Sequence, residues 1–388
     1  MLRERLLDII DELWPEIWQT ALYIYDNPEL GGQEYKAVSY LGKVLERFGY
    51  KYLCPYLGLD TSFKAQVGNG KPVIYFIAEY DALPEIGHGC GHHMIAGASV
   101  GAAISLAVLK QELSGSIVVL GTPAEETAGA KVLLLEKGAF IGCDAVLMFH
   151  PGQNSIINIS SQALEALEVT YSGFHGHSAR GAKGNPLVSL VYFFQQTLDY
   201  NKAFFPQQQI EGVITFGGVT PNLIPDKAVG KFYIRAGSTT LLKKTIKDFK
   251  EMLEKTAEVN KTEAVIRQFE PRYLPMQTNK KLAQIFKEQV NLMGMEMNMD
   301  YRHIVGSMDM GNVSWQIPSI HPYLPLGNGK VSAHSLEFKK IAGSYEGEKT
   351  MKLATQALAL TALELLTKPQ MVELIWKEHN SSVASYSG

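Results

Sequence analysis

Cysteine is scarce in this chain. Cys54, Cys90 and Cys143 are the three among 388 residues, an odd number with no C-x-x-C pair. That excludes a disulfide-framed fold and points to a reducing, cytoplasmic setting. A charge of one sign is lacking too: 36 Lys and Arg against 39 Asp and Glu leave a formal net charge of −3. This gives no basic footprint for nucleic acid or an anionic membrane, and by elimination leaves a small molecule or peptide as the expected partner. Long apolar runs are also missing. Arg3, Glu4, Arg5 and Asp8 interrupt the first residues, which read as neither a signal peptide nor a transit sequence. Gly89 to Leu109 carries no Asp, Glu, Lys or Arg. Its apolar part starts only near Met94 and spans about 16 residues, short of the roughly 20 that cross a bilayer, so a buried core helix is expected there. There is no internal repeat, low-complexity tract or Walker A sequence.

What is present first shows as texture. A length of 388 residues exceeds one ordinary core, so two domains are expected. Leu6, Leu7, Ile9, Ile10, Leu13, Ile17, Ala21 and Leu22 recur at helical spacing, with Pro15 expected to kink or restart the helix. A second helix is predicted over Glu34 to Phe48. Phe63–Val67 and Val73–Ile77 flank Gly68-Asn69-Gly70 and read as a hairpin or a pair of neighbouring strands. Then strands and helices alternate: a helix at Ile95–Leu109, a strand at Ser116–Gly121, a helix near Lys131–Lys137, a strand at Ala145–Phe149. This is the pattern of an α/β layer with a mostly parallel sheet. From Leu164 to Glu270 the order becomes β-α-β-β-α-β, a ferredoxin-like α+β unit. The expected division is a discontinuous catalytic domain over 1–164 and 271–388, with 165–270 inserted, closing on a helix from Gly347 to Leu366.

Five short segments hold nearly all the metal-capable residues: Ala78–Pro84 with Glu79 and Asp81, Gly87–His93 with Cys90 and His92, Gly121–Glu126 with Glu125 and Glu126, Phe149-His150-Pro151, and Ser332–Ser335 with His334. Several follow predicted strands at their carboxyl ends, where the chemistry of such sheets gathers. Thiolate, imidazole and carboxylate together suit a borderline divalent ion such as zinc or manganese. Cys90 and His92, one residue apart between glycines, can turn to one side. Adjacent Glu125 and Glu126 point apart, so one can bind metal while the other moves protons, the division of labour hydrolysis requires.

Rival patterns are weaker. Gly97-Ala98-Ser99-Val100-Gly101 satisfies the serine-hydrolase pattern G-x-S-x-G, but Ser99 lies inside the predicted apolar helix rather than after a strand. A non-catalytic binding protein on an α/β scaffold would have no need of Glu125. A dinucleotide fingerprint fails because His92 stands where its third glycine belongs.

Taken in order along nearly the whole chain, these segments resemble the M20 metallopeptidase/amidohydrolase family, in its branch with a cysteine ligand. Phe174–Ala179, Asn222–Asp226 and Gly306–Ser314 extend the likeness. Within the family the chain is most similar to the p-aminobenzoyl-glutamate hydrolase and β-alanyl-lysine dipeptidase-like subgroup. The resemblance implies a metallohydrolase catalytic domain with an inserted lid and dimerisation domain. It implies one or two divalent ions, Zn or Mn, on Cys90, His92, Glu126, His150 and His334. Glu125 would be general base and proton shuttle, and Asp81 would orient a ligand. His177 would reach into the partner's site of a homodimer, made through 165–270, to hold the oxyanion. Asn222 and Arg235 would sit near the substrate's carbonyl or carboxylate, and Phe174, Phe204, Phe205 and Tyr301 could line a specificity pocket. The substrate implied is an N-acyl amino acid, an aminobenzoyl-glutamate-like amide or a dipeptide. The chain departs from the wider family in reading Glu79-Tyr80-Asp81 for His-x-Asp, and from its branch in placing His93 after His92.

Overall fold

The computed structural model describes residues 1–180, 184–297 and 303–386; Tyr301 lies outside them. The chain forms two units, one of Met1–Ser160, Met276–His303 and Asp309–Gly388, the other of Ser161–Pro275 and Ile304–Met308.

The first unit opens with α1 (Leu2–Asp26) and α2 (Tyr35–Arg47). α1 does not end or restart at Pro15. Pro15 and Asp11 both lie on its exposed side, so the carbonyl that loses its partner four residues back meets solvent and the helix continues. Strands β1 (Lys51–Leu53), β2 (Phe63–Asn69), β3 (Val73–Ala78), β4 (Gly115–Gly121) and β5 (Ala145–Leu147) form a six-stranded sheet with Ser319–Ile320, in the order β1-β2-β4-β3-β5 and then Ser319–Ile320. β4, β3, β5 and Ser319–Ile320 run parallel, whereas β1 and β2 are antiparallel additions at one edge. β2 and β3 are therefore neither a hairpin nor neighbours. β4, buried along almost its entire length, lies between them and bonds to both. An apolar strand with two buried faces needs a partner on each side.

α3 (His92–Val108) starts three residues earlier than the apolar pattern suggested and is buried around its whole circumference. It packs against α1, the sheet and the helix Tyr345–Thr367. Its small residues make this approach possible. A Cβ on Gly97 would come within 2.8 Å of Ala21 Cβ and 2.9 Å of Met351 Sδ, and one on Gly101 within 2.6 Å of Ile17 Cγ2. Ser99 sits inside this packing, fully buried, donating to the Ile77 carbonyl, so G-x-S-x-G here is a helix-packing pattern and no nucleophile. Among the described residues no helix is long and apolar enough to cross a membrane.

The second unit is an antiparallel sheet of Ala163–Ser172, Gln208–Phe216, Lys227–Ala236 and Glu263–Tyr273 with helices Pro186–Phe204 and Thr239–Asn260. Numbered along the chain, its strands lie in the order 2-3-1-4, the ferredoxin-like arrangement. Phe193, Phe232, Phe249 and Tyr171 fill its core.

Candidate metal centre

Parallel β3 and β4 end in register, Ala78 opposite Gly121, and Thr122 N–H donates to Ala78 O at 2.9 Å. This sets Glu79–Asp81 beside the loop carrying Glu125 and Glu126. Cys90 precedes α3, and His92 is the first residue of that helix rather than part of an irregular loop. Gly91 makes the turn, at φ +85°, with no room for a side chain: a Cβ would lie 2.5 Å from Pro151 Cγ. Gly91→Ala is expected to weaken metal binding about 5–30-fold, the equivalent of about 1–2 kcal/mol of backbone strain, in a chelator competition assay. Unchanged affinity would show that this turn does not set the ligand geometry. His150 does not close β5 but opens a separate short strand, β6 (His150–Gly152), paired with Tyr323–Pro325. His334, 55% exposed, arrives through its backbone, whose N–H donates to Gly89 O at 2.8 Å.

Donor atoms from these segments converge. Cys90, His92 and His150 form one group, Cys90, Glu126 and His334 a second, and His92, Glu125 and Glu126 a third, each with its ligand atoms within 4.8 Å of one another. Cys90 Sγ is 3.5 Å from His150 Nε2. Glu126 Oε1 is 3.8 Å from His92 Nε2 and 3.5 Å from His334 Nε2. Ligands about 2.0–2.3 Å from a shared ion stand this far apart. His92 Nδ1 donates to Asp81, 2.9 Å from Oδ1 and 3.0 Å from its carbonyl, and His150 Nδ1 donates to Pro151 O at 2.7 Å. Both rings therefore turn Nε2 inward, the arrangement by which a carboxylate or carbonyl orients a metal-binding imidazole. Among the described residues, His92 Nε2 and Glu126 Oε1 are buried with no hydrogen-bond partner. Buried polar atoms left so are costly, and a divalent cation fits this donor set.

The electrostatics lead to the same conclusion. Burial pushes the Cys90 thiol up. Burial, then Glu79, Asp309 and Glu126, hold the Glu125 carboxyl well above the ordinary carboxylate range. Burial and neighbouring His92 push His150 down to about 4, leaving it a neutral ligand. Burial alone would depress His92, but Asp81 and Cys90 outweigh it and raise that imidazole well above its usual value. A crowd of carboxylates and a thiol in one buried place suits positive charge, which a bound divalent ion would supply, favouring the thiolate of Cys90.

Sequence reading missed what holds the Glu125–Glu126 loop. Three carboxylates accept its backbone N–H groups: Glu34 from Ala124 at 2.8 Å, Asp81 from Glu126 at 3.0 Å, and Asp309 from Lys131 at 3.1 Å. Ala124 stands at φ +55°, which costs an alanine about 1–2 kcal/mol. The Lys131 ammonium, fully buried, pairs with Asp309 at 2.7 Å and with Glu79, whose other oxygen is 3.6 Å from His92 Nε2. Local sequence held only a faint sign of this: a lysine entering the apolar run Val132–Leu135.

The remaining expected site residues lie in the second unit. Exposed His177 forms a two-stranded ladder opposite Leu223, and Ser178 N–H donates to Asn222 O at 3.0 Å, so His177 and Asn222 are neighbours. Arg235 lies on the strand Lys227–Ala236, ion-paired with Glu211 and 5.1 Å from the Tyr233 ring centroid. Phe174 and Phe205 are exposed, and Phe204 stacks near Tyr200, with centroids 4.4 Å apart.

Comparison with known proteins places these features in a family. A model of peptidase family M20/M25/M40 matches residues 75–364. The Xaa-Arg dipeptidase of Homo sapiens is 32% identical, covering 96% of this chain and 91% of its own. Two solved structures share the fold. An aminobenzoyl-glutamate utilization protein from Klebsiella pneumoniae has a TM-score of 0.72 at 15% identity, covering 94% of this chain and 99% of its own. A dinuclear metal-binding M20 peptidase from Bacillus subtilis has a TM-score of 0.67 at 18% identity, covering 91% of this chain and 99% of its own.

Proposed function

The chain belongs to the peptidase family M20/M25/M40 and is a metal-dependent amidohydrolase or peptidase, and from that premise we propose that it cleaves small dipeptides or N-acyl amino acids at the Cys90–His334 centre. Dipeptides ending in arginine are the first class to test, because a relative matched along almost its whole length is an Xaa-Arg dipeptidase. Aminobenzoyl-glutamate-like amides follow. The observation that carries the reading is the convergence of five donors with Glu125 beside them, its Oε2 3.9 Å from His92 Nε2.

Cys90, His92, Glu126, His150 and His334 would hold zinc or manganese, one ion or two. Such an ion lowers the pKa of water and polarises the scissile carbonyl. Glu125 accepts the proton of the attacking water and returns it to the leaving nitrogen. Asp81 keeps the His92 ring aimed. His177, contributed across a homodimer made through 165–270, stabilises the oxyanion as it develops, with Asn222 against the substrate's carbonyl. Arg235 would meet a substrate carboxylate by exchanging it for Glu211. A reducing cytoplasm suits the Cys90 thiolate.

The test is metal analysis of the purified protein beside hydrolysis of a panel of dipeptides and N-acyl amino acids. One or two divalent ions per chain are expected, with activity abolished by chelation and restored by zinc or manganese. A protein that binds no divalent ion would defeat the reading.

A further inference from the structure

Ala124, next to Glu125, is a non-glycine residue in the left-handed region, at φ +55°. The group that meets its N–H comes from far away in the sequence. Glu34, fully buried, accepts that N–H at 2.8 Å on one carboxylate oxygen and the Thr61 hydroxyl at 2.6 Å on the other. The segment leading to Glu34 presses on the same loop. A Cβ on Gly31 would lie 2.5 Å from Thr127 Oγ1 and 2.9 Å from Ala124 Cα. Two residues earlier, Glu29 O accepts the Ala82 N–H at 2.8 Å, beside Asp81. One short stretch of chain thus fastens both loops of the centre.

We propose that Glu34 is a positioning residue for hydrolysis: it fixes Ala124 in its unfavourable conformation and thereby sets the separate aims of Glu125 and Glu126. This rests on the reading of Glu125 as the base. If φ at Ala124 relaxed to negative values, the following peptide would rotate and carry the Glu125 carboxylate away from the attacking water. A displacement of about 1 Å at a reacting group can cost about a hundredfold in rate. The Glu126 N–H would still be held by Asp81, and the other donors lie on other segments, so metal binding should survive.

The experiment compares Glu34→Met, similar in length but without an acceptor, with Glu34→Gln, which keeps an oxygen for the Ala124 N–H. Glu34→Met is expected to retain the wild-type metal content and a KM within about threefold, while kcat falls about 10–100-fold. Glu34→Gln should restore kcat to within about threefold. Should Glu34→Met fail to fold, Thr61→Val removes only the hydroxyl that orients the carboxylate, and is expected to lower kcat several-fold at unchanged metal content. Unaltered kcat in Glu34→Met (or in Thr61→Val, where that variant decides), equal impairment of Met and Gln variants, or a loss explained by missing metal would overturn the proposal. A wild-type protein inactive on every amide would defeat the reading of the centre as well, whereas an active wild type with an unimpaired Glu34→Met variant defeats this inference alone.

Discussion

Glu125→Gln is expected to leave metal content intact while lowering kcat and kcat/KM together by roughly 10²–10⁴-fold. Glutamine matches glutamate in shape and keeps an acceptor oxygen, so the loop held by Glu34, Asp81 and Asp309 has no reason to move. Two of the three donor groups, Cys90–His92–His150 and Cys90–Glu126–His334, do not involve residue 125, which is why the metal should remain. An amide cannot take a proton from water and return it to a leaving amine, and that loss is felt in the transition state rather than in substrate binding. Steady-state kinetics with metal analysis of the same sample checks both halves. Turnover within about tenfold of wild type would sink the assignment of Glu125. Lost metal would move it from proton carrier to ligand.

Most of the candidate donors were legible in the sequence because they sit in short segments of telling composition, and several stand at a strand's end. Cys90 and His92 are framed by glycines, Glu125 and Glu126 follow an apolar strand, and His150 precedes a proline. His334 had no such local support and was placed only by the family resemblance. What brings it in is a backbone bond to Gly89, and no side-chain pattern records such a bond. The ferredoxin-like unit was legible for a similar reason, since strand and helix periods alternate cleanly through it.

The misreadings share one cause, contacts distant in sequence. β2 and β3 flank a glycine-rich turn and look like partners, but strand order depends on β4, which arrives only after α3. Pro15 looks like a break until one knows which side of α1 faces solvent. Glu34 and Ala124 lie 90 residues apart, and Lys131 and Asp309 lie 178 apart. A buried carboxylate and an exposed one are identical letters in a sequence. Only the fold says that Glu34 has no exposure and that Lys131 opens its helix inward.

Lys131→Met is expected to destabilise the protein by about 3–5 kcal/mol, the usual consequence of removing one member of a buried ion pair. Glu79, Lys131 and Asp309 are all at most 2% exposed, and methionine fills the lysine's volume without a charge. Two carboxylates would then share a buried place with no cation against them. Burial already raises the Asp309 carboxyl above its ordinary value, and Lys131 is the main influence holding it down. Without Lys131 that folded-state value climbs further, so the group favours its protonated form in the folded protein. The sign follows: the deficit against wild type is smallest below about pH 4, where the Asp309 carboxyl is largely protonated folded or unfolded, and widens as pH rises. The triple change Glu79→Gln, Lys131→Met, Asp309→Asn removes these three charges at once, while the amide introduced at position 309 keeps an acceptor for the residue-131 N–H. It should recover most of the loss, because replacing a whole buried ion cluster by neutral groups is often close to neutral. Urea unfolding of the metal-free proteins across pH measures all of this. A single-variant loss below about 1 kcal/mol, or one that does not grow with pH, would mean that Lys131 is not the cation on which these two carboxylates depend.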